Sequence, residues 1–285
     1  MEREEVVIPY ELIVPSASRP HLLRQTLSTL FIHTWRQWPQ RVIVHDDGVF
    51  PGKRREVEDL LVTQVPAQVP LVFRYDERPI GHGPALKWLL DEVRTEYVLY
   101  TQDDFATVRP LPIARALALM EIFHLNQIRF NKRKTMAVKG EPGRTFTKLE
   151  RRFSVAEDAV TDGLSPEVFE AVLCAADHWY FQTGLWRVAA IKPVVDWWAS
   201  SGPERNPSGF TEHAEIKINN TFNGYYRGMI EFPSTVPVST SEESSDPRVR
   251  ARVHKTFIWG PVREPKFVEH LGHDQKNWAL NRASR

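Results

Sequence analysis

The chain has 285 residues, with 37 Lys and Arg against 36 Asp and Glu, 42% hydrophobic residues, 14 Gly, 21 Pro and one Cys. That composition excludes a disordered or collagen-like chain, and the lone Cys174 excludes an internal disulfide and a multi-cysteine zinc site. A net charge of +1 makes no global case for nucleic acid, no apolar run approaches a membrane span, and the start Met1-Glu2-Arg3-Glu4-Glu5 lacks signal-peptide character, so a cytoplasmic protein is expected.

Tyr10–Val14 reads as a buried strand that stops at the loop Pro15-Ser16-Ala17-Ser18-Arg19-Pro20. A helix is predicted over His21–His33, from the spacing of Leu22, Leu23, Leu27, Leu30 and Phe31. Arg41–His45 is a second strand, ended by Asp46-Asp47-Gly48, and a charged helix follows near Lys53–Val62. Leu71–Tyr75 is a third strand, leading through Arg78–Gly83 into a helix with Pro84 in its first turn that runs to Val93. Tyr97–Tyr100 is a fourth strand and ends at Thr101-Gln102-Asp103-Asp104. Further on, Pro112–Asn126 and Trp186–Trp198 read as helices, Ser200–Gly209 as a loop, Thr211–Asn219 as the start of another helix, and Ser239–Pro247 as a loop. This alternation predicts an α/β fold with a mostly parallel twisted sheet, helices on both faces and an elaborated C-terminal half. One domain over residues 1–285 is expected, with residues 1–110 as a ligand-binding half and 111–285 as a second half and tail.

In such sheets ligands sit at the carboxyl ends of the strands. The polar clusters Ser16–Arg19, Asp46-Asp47, Arg78–Gly83 and Asp103-Asp104 all fall there. Gly81-x-Gly83 lacks the third glycine of a dinucleotide fingerprint and follows the third strand instead of the first. The sequence has no GxxxxGK[ST] loop, no GxSxG elbow and no HExxH pair. Asp103-Asp104, two carboxylates directly after a strand, suits a hard divalent cation shared with phosphate oxygens. An ordinary helix cap is the bland reading of the same pair.

The runs Ile13–Pro20, Val42–Gly48, Gly81–Leu86 and Glu96–Asp104, in that order, resemble the nucleotide-sugar half of GT-A glycosyltransferases, with the family 2-like group nearest. The resemblance covers about residues 10–108 and extends more loosely to about 220. It implies a metal-dependent, inverting transfer of sugar from a nucleotide-diphosphate donor, a UDP-sugar by preference, to a hydroxyl acceptor, with Mn²⁺ or Mg²⁺ as cofactor. Pro15, Ser16 and Arg19 would line the nucleotide pocket, and Asp46 or Asp47 would accept the base N–H. Gly81, His82 and Lys87 would lie near ribose and pyrophosphate. Gln102-Asp103-Asp104 stands where the family has Asp-x-Asp, with Gln replacing the first acid and Asp104 kept as the metal ligand. Glu212, or Glu215, would be the catalytic base, and His213 replaces an Asp usual beside it. Thr183–Arg187 would be a strand and turn whose Gly184, Trp186 and Arg187 face the donor sugar and acceptor, and His270 would add a metal ligand.

Trp179, Trp186, Trp197 and Trp198 gather on that second half, as core or as stacking platforms. Residues 129–152 carry nine Lys and Arg against Glu141 and Glu150, a net +7, with Phe130, Phe146 and the adjoining Phe153 interleaved. That pattern suits a phosphate backbone and an extruded base. The acceptor expected from it is a hydroxymethylated pyrimidine in DNA, as in the virus-encoded glycosyltransferases it resembles. A loop closing over the donor diphosphate is the competing reading of the run. A polysaccharide or lipid-linked acceptor, a nucleotidyltransferase and a non-catalytic binding protein are the alternatives for the whole chain. The first loop has Arg19 but lacks the glycines a nucleotidyltransferase usually carries there.

Overall fold

The computed structural model describes residues 8–34, 37–132, 150–155, 169–176, 179, 181–200, 255–261 and 264–271. Along the chain these form β1 (Tyr10–Ser16), α1 (Pro20–His33), β2 (Val42–Asp46), α2 (Arg54–Gln64), β3 (Leu71–Tyr75), α3 (His82–Glu92), β4 (Tyr97–Tyr100), β5 (Phe105–Thr107) and α4 (Ile113–Ile122). Then come β6 (Gln127–Arg129), β7 (Glu150–Val155), β8 (Phe169–Ala176), β9 (Gly184–Arg187), α5 (Val188–Ser200), β10 (Thr256–Trp259) and β11 (Val268–His270).

Nine strands make one sheet in the order β3-β2-β1-β4-β9-β6-β10-β8-β7. The first four are parallel to their neighbours, and β6 is parallel to β10. The antiparallel pairings of β9 and β8 reverse only those two strands, so seven of the nine point the same way. The fold is therefore the mixed α/β arrangement with a mostly parallel sheet that the sequence predicts. β1 is buried along its whole length, as a central strand covered on both faces must be.

Side chains alternate across the sheet. Leu12, Val14, Val42, Val44, Tyr97 and Leu99 face a core built with Leu23, Leu27, Val57, Leu61, Leu117 and Met120 of α1, α2 and α4. Ile13, Ile43, Val98 and Tyr100 face the opposite core, built with Leu86, Leu89 and Leu90 of α3 and Ile191, Val194 and Val195 of α5. Both faces of β1, β2 and β4 are thus buried, and their carboxyl ends lead into the loops that carry the polar clusters. Pro20 opens α1 at a position where its missing N–H costs nothing. Gly81, at φ 88°, turns the chain into α3 through a conformation closed to most residues.

Two expectations change. Gly184–Arg187, whose last two residues fall in the expected Trp186–Trp198 helix, is strand β9, because its backbone pairs with both β4 and β6; the helix starts at Val188. Phe130, counted among the aromatics of the basic stretch, is fully buried and packs on Phe267 at 5.6 Å between ring centres. Most of that basic stretch, and the elements expected over 201–250, lie outside the described residues.

Candidate active site

The parallel pairing of β1 with β2 and β4 brings Ser16, Asp46 and the turn after Tyr100 to one edge. Asp103 is at the centre, 2% exposed. It accepts from Ser16 Oγ at 3.3 Å, the Ala17 N–H at 3.0 Å and Arg19 Nε at 3.2 Å, and its other oxygen accepts from Arg19 Nη2. Its own carbonyl accepts from Thr26 Oγ1 of α1 at 2.8 Å, which locks the turn to that helix. Arg19 Nη2 also donates to Asp104 Oδ2 at 3.1 Å. His270 Nε2 lies 3.4 Å from the same Asp104 oxygen. The other oxygen, Asp104 Oδ1, is buried with no hydrogen-bond partner among the described residues.

His270 arrives there through a second, two-stranded sheet. β11 pairs antiparallel with β5, setting His270 opposite Phe105, and the Leu271 N–H donates to the Asp104 carbonyl at 2.8 Å. Arg109 fastens that segment. It donates to Glu264 and to the Pro265 carbonyl, and its guanidinium sits 3.3 Å from the centre of the Phe267 ring. Segments far apart in sequence are thus joined at one point.

Burial pushes both acids toward neutrality, and their surroundings part them. For Asp104 the bond from His270 and the charge of Arg19 outweigh burial, so its carboxyl stays below the usual range. For Asp103 complete burial dominates, with Asp104 adding to it and Arg19 opposing, and its carboxyl is pushed up. Burial acts against the Arg19 charge too, but the two carboxylates outweigh it and hold the guanidinium firmly protonated.

Of the paired acids after β2, Asp46 is committed to the fold. It is fully buried and accepts from Ser16 Oγ at 2.9 Å, the Ser18 N–H at 3.0 Å, the Ser18 hydroxyl and the Gly48 N–H at 3.0 Å. Those bonds hold Ser18 at φ 56°, a left-handed conformation uncommon for serine. Asp47 is half-buried and accepts from the Ile80 N–H at 2.6 Å and the Gly81 N–H at 3.0 Å. Burial raises its carboxyl to about 6, against the pull of those two N–H groups. Asp47 therefore ties the β2 turn to the start of α3 and remains the one of the pair with a side facing out.

Two further features lie beside this cluster. Gln102 Nε2 donates to Tyr100 Oη at 2.9 Å, and His82 Nε2 lies 3.4 Å from the same oxygen, so Gln102 is held by the strand's own tyrosine. Asp76, one residue past β3, binds His45 Nε2 at 2.7 Å and Arg74 Nη2 at 2.9 Å. His45, Asp47 and Asp76 each offer an atom within 4.8 Å of the others, a spacing compatible with a divalent metal. An acid at the end of the third strand was the available signal.

The remaining expected residues divide. Pro15 is buried on β1 opposite His45, beside Ser16. Lys87 is not brought to the cluster: its ammonium pairs with Asp91 at 2.7 Å and Asp196 at 3.0 Å, between α3 and α5. Trp186 is fully buried and stacked on Tyr100 at 4.0 Å, which leaves no ring face for an acceptor. Arg187 pairs in register with Tyr97, at the opposite end of β4 from Asp104, and is held by Glu96 and the Met120 carbonyl. Gly184 is at the correct end, but a Cβ there would meet Arg129 Cα at 2.7 Å, so the close approach of β9 to β6 accounts for the glycine. Trp179 is fully buried in the same core. Glu212, Glu215 and His213 lie outside the described residues, as do the side chains of Trp197 and Trp198.

The sequence matches no protein-family model and no curated protein. Among solved structures, the chain is similar to S. aureus TarS 1-349, at 17% identity over 76% of this chain and 55% of that one, with a TM-score of 0.43. It is similar to the mannosyltransferase PcManGT from Pyrobaculum calidifontis in complex with GDP-Man and Mn²⁺, at 19% identity over 46% of this chain and 40% of that one, TM-score 0.38. It is also similar to the 2-C-methyl-D-erythritol 4-phosphate cytidylyltransferase from Thermus thermophilus, at 14% identity over 95% of this chain and 98% of that one, TM-score 0.39. The chain spans only about half the length of the TarS structure.

Proposed function

We propose that this chain is a metal-dependent glycosyltransferase that moves a sugar, with inversion, from a nucleotide-diphosphate donor of the UDP-sugar kind to a hydroxyl acceptor. One observation carries the reading. Asp104 Oδ1 is buried without a partner among the described residues, next to His270, at the edge where β1, β2 and β4 end. A carboxylate oxygen and an imidazole nitrogen at one point form a donor set that Mn²⁺ accepts readily. The His45, Asp47 and Asp76 group fits less well, since Asp47 is engaged by two backbone N–H groups and Asp76 by Arg74.

When bound at Asp104 and His270, a divalent cation would offset the charge of the departing diphosphate. The chain's own residues do the rest. Asp103, with Ser16 and Ala17, fixes the turn that presents Asp104. Asp47 offers an acceptor for a base N–H at the outer side of the pocket. Glu212, or Glu215, takes the proton from the acceptor hydroxyl. The DNA acceptor is supported by the lysines and arginines of 129–152. Its check is a steep fall of DNA affinity with salt, where a flat response would remove it.

Calorimetry with UDP-glucose, UDP-galactose, GDP-mannose and plain nucleoside triphosphates tests the reading, each with and without Mn²⁺. Binding of a nucleotide sugar that requires Mn²⁺ and disappears in Asp104→Asn is expected. Glu212→Gln should keep that binding and lose roughly 10²–10⁴-fold in turnover, the usual effect of a general base. Metal-independent binding, or a nucleoside triphosphate consumed with release of pyrophosphate, would overturn it, the latter in favour of a nucleotidyltransferase.

A further inference from the structure

The geometry points to Arg19 as a resident counter-ion that keeps the cation off Asp104 until a diphosphate arrives. The inference deepens the proposed function and rests on its metal site. Asp103 receives four donors on its two oxygens: the Ser16 hydroxyl, the Ala17 N–H, and Nε and Nη2 of Arg19. A guanidinium forked onto both oxygens, with two further donors, favours the ionised carboxylate against the burial that pushes Asp103 up. Asp103 and Asp104 then carry two negative charges, and Arg19 cancels one by forking onto Asp103 and reaching Asp104 Oδ2 at 3.1 Å. The oxygen left for a cation, Asp104 Oδ1, belongs to the same carboxylate that Arg19 touches.

A divalent cation entering alone meets a cluster whose negative charge Arg19 has lowered by one, and a guanidinium on the same carboxylate. In a pocket this buried the repulsion is poorly screened. A diphosphate brings the missing negative charge and offers the guanidinium oxygens of its own. Metal and nucleotide must therefore strengthen each other's binding, and the coupling is reciprocal. Arg19 sets its size.

Mn²⁺ binding to nucleotide-free wild type, the two single variants and the double variant tests this, using the paramagnetic signal of free Mn²⁺. Arg19→Gln removes the guanidinium charge and should bind Mn²⁺ about tenfold or more tightly than wild type. Asp103→Asn keeps Arg19, cancels a carboxylate, and should bind Mn²⁺ more weakly by a similar factor. The double variant restores the wild-type balance, removes any stranded buried charge, and should return close to wild-type affinity. Adding UDP should tighten Mn²⁺ binding in wild type and do so far less in Arg19→Gln.

If Arg19→Gln leaves Mn²⁺ affinity unchanged or weakens it, or if the double variant keeps the affinity of either single one, the counter-ion role is wrong. The first three measurements use no nucleotide. They therefore stand even if no nucleotide binds and the glycosyltransferase reading fails. Conversely, Mn²⁺-dependent UDP-sugar binding with the same Mn²⁺ affinity in all four proteins would sink this inference alone. Thermal melts establish that each variant is folded; if one single variant is not, the other, set against wild type and the double variant, still reads the expected change in Mn²⁺ affinity.

Discussion

At the residue scale the pocket is built from acids with separate tasks, and their environments show which task each has. Asp46 spends both oxygens on the β1–α1 loop, Asp103 on Arg19 and the same loop, and Asp104 keeps one oxygen unengaged among the described residues. Asp47 differs again, because its carboxyl is raised from 3.8 to about 6 by burial, with Asp76 and Asp46 adding like charge. A raised carboxyl means that the folded protein holds this proton to higher pH than the unfolded chain does. Its stabilising contribution is complete below about pH 4 and is lost as pH rises through about 6. Asp47→Asn has no such loss, and its side-chain oxygen still accepts from Ile80 and Gly81. The melting temperature of the variant minus that of wild type should therefore climb between about pH 4 and pH 6 and level off above. A difference that does not change with pH would show that Asp47 titrates like an exposed carboxylate.

At the scale of elements, the parallel half could be read from the sequence because each strand is a short apolar run ended by polar residues. Leu71–Tyr75 and Tyr97–Tyr100 emerge as β3 and β4 with the expected bounds. β9 could be read only by resemblance, because its apolar residues continue without a clear break into α5, and pairing with distant β4 and β6 makes them a strand. The β5–β11 sheet was hidden for the same reason, since three-residue strands have no periodicity to detect. That small sheet nonetheless sets where His270 stands, and Arg109 is its fastener. Arg109→Ala should free β11 from β5, at a cost of about 1–2 kcal/mol for the lost ring contact and hydrogen bonds. Mn²⁺ affinity should fall severalfold although no residue of the carboxylate cluster has changed. Thermal melts and an Mn²⁺ titration read the two effects. Undiminished affinity in a destabilised variant would mean that His270 holds its place without β11.

At the scale of the whole molecule, the candidate site joins the first loop of the chain to its last described strand. Ser16, Arg19, Asp46, Asp103 and Asp104 were all named from local patterns, because strand ends in a parallel sheet converge by construction. The proximity of His270 to Asp104 rested on resemblance, since no local pattern carries a contact across that separation. A site assembled this way exists only in the folded chain, so anything that binds it must stabilise the entire fold. At a hundred times its dissociation constant, a ligand adds about 2.7 kcal/mol, a rise of several degrees in melting temperature for a chain of this size. UDP and Mn²⁺ together should give that rise in wild type, while either alone should give much less, if the proposed site couples the two. In Asp104→Asn the joint rise should vanish. Cytidine triphosphate with Mg²⁺ serves as the contrast. A larger rise with that pair than with UDP and Mn²⁺ would turn the same pocket toward nucleotidyl transfer.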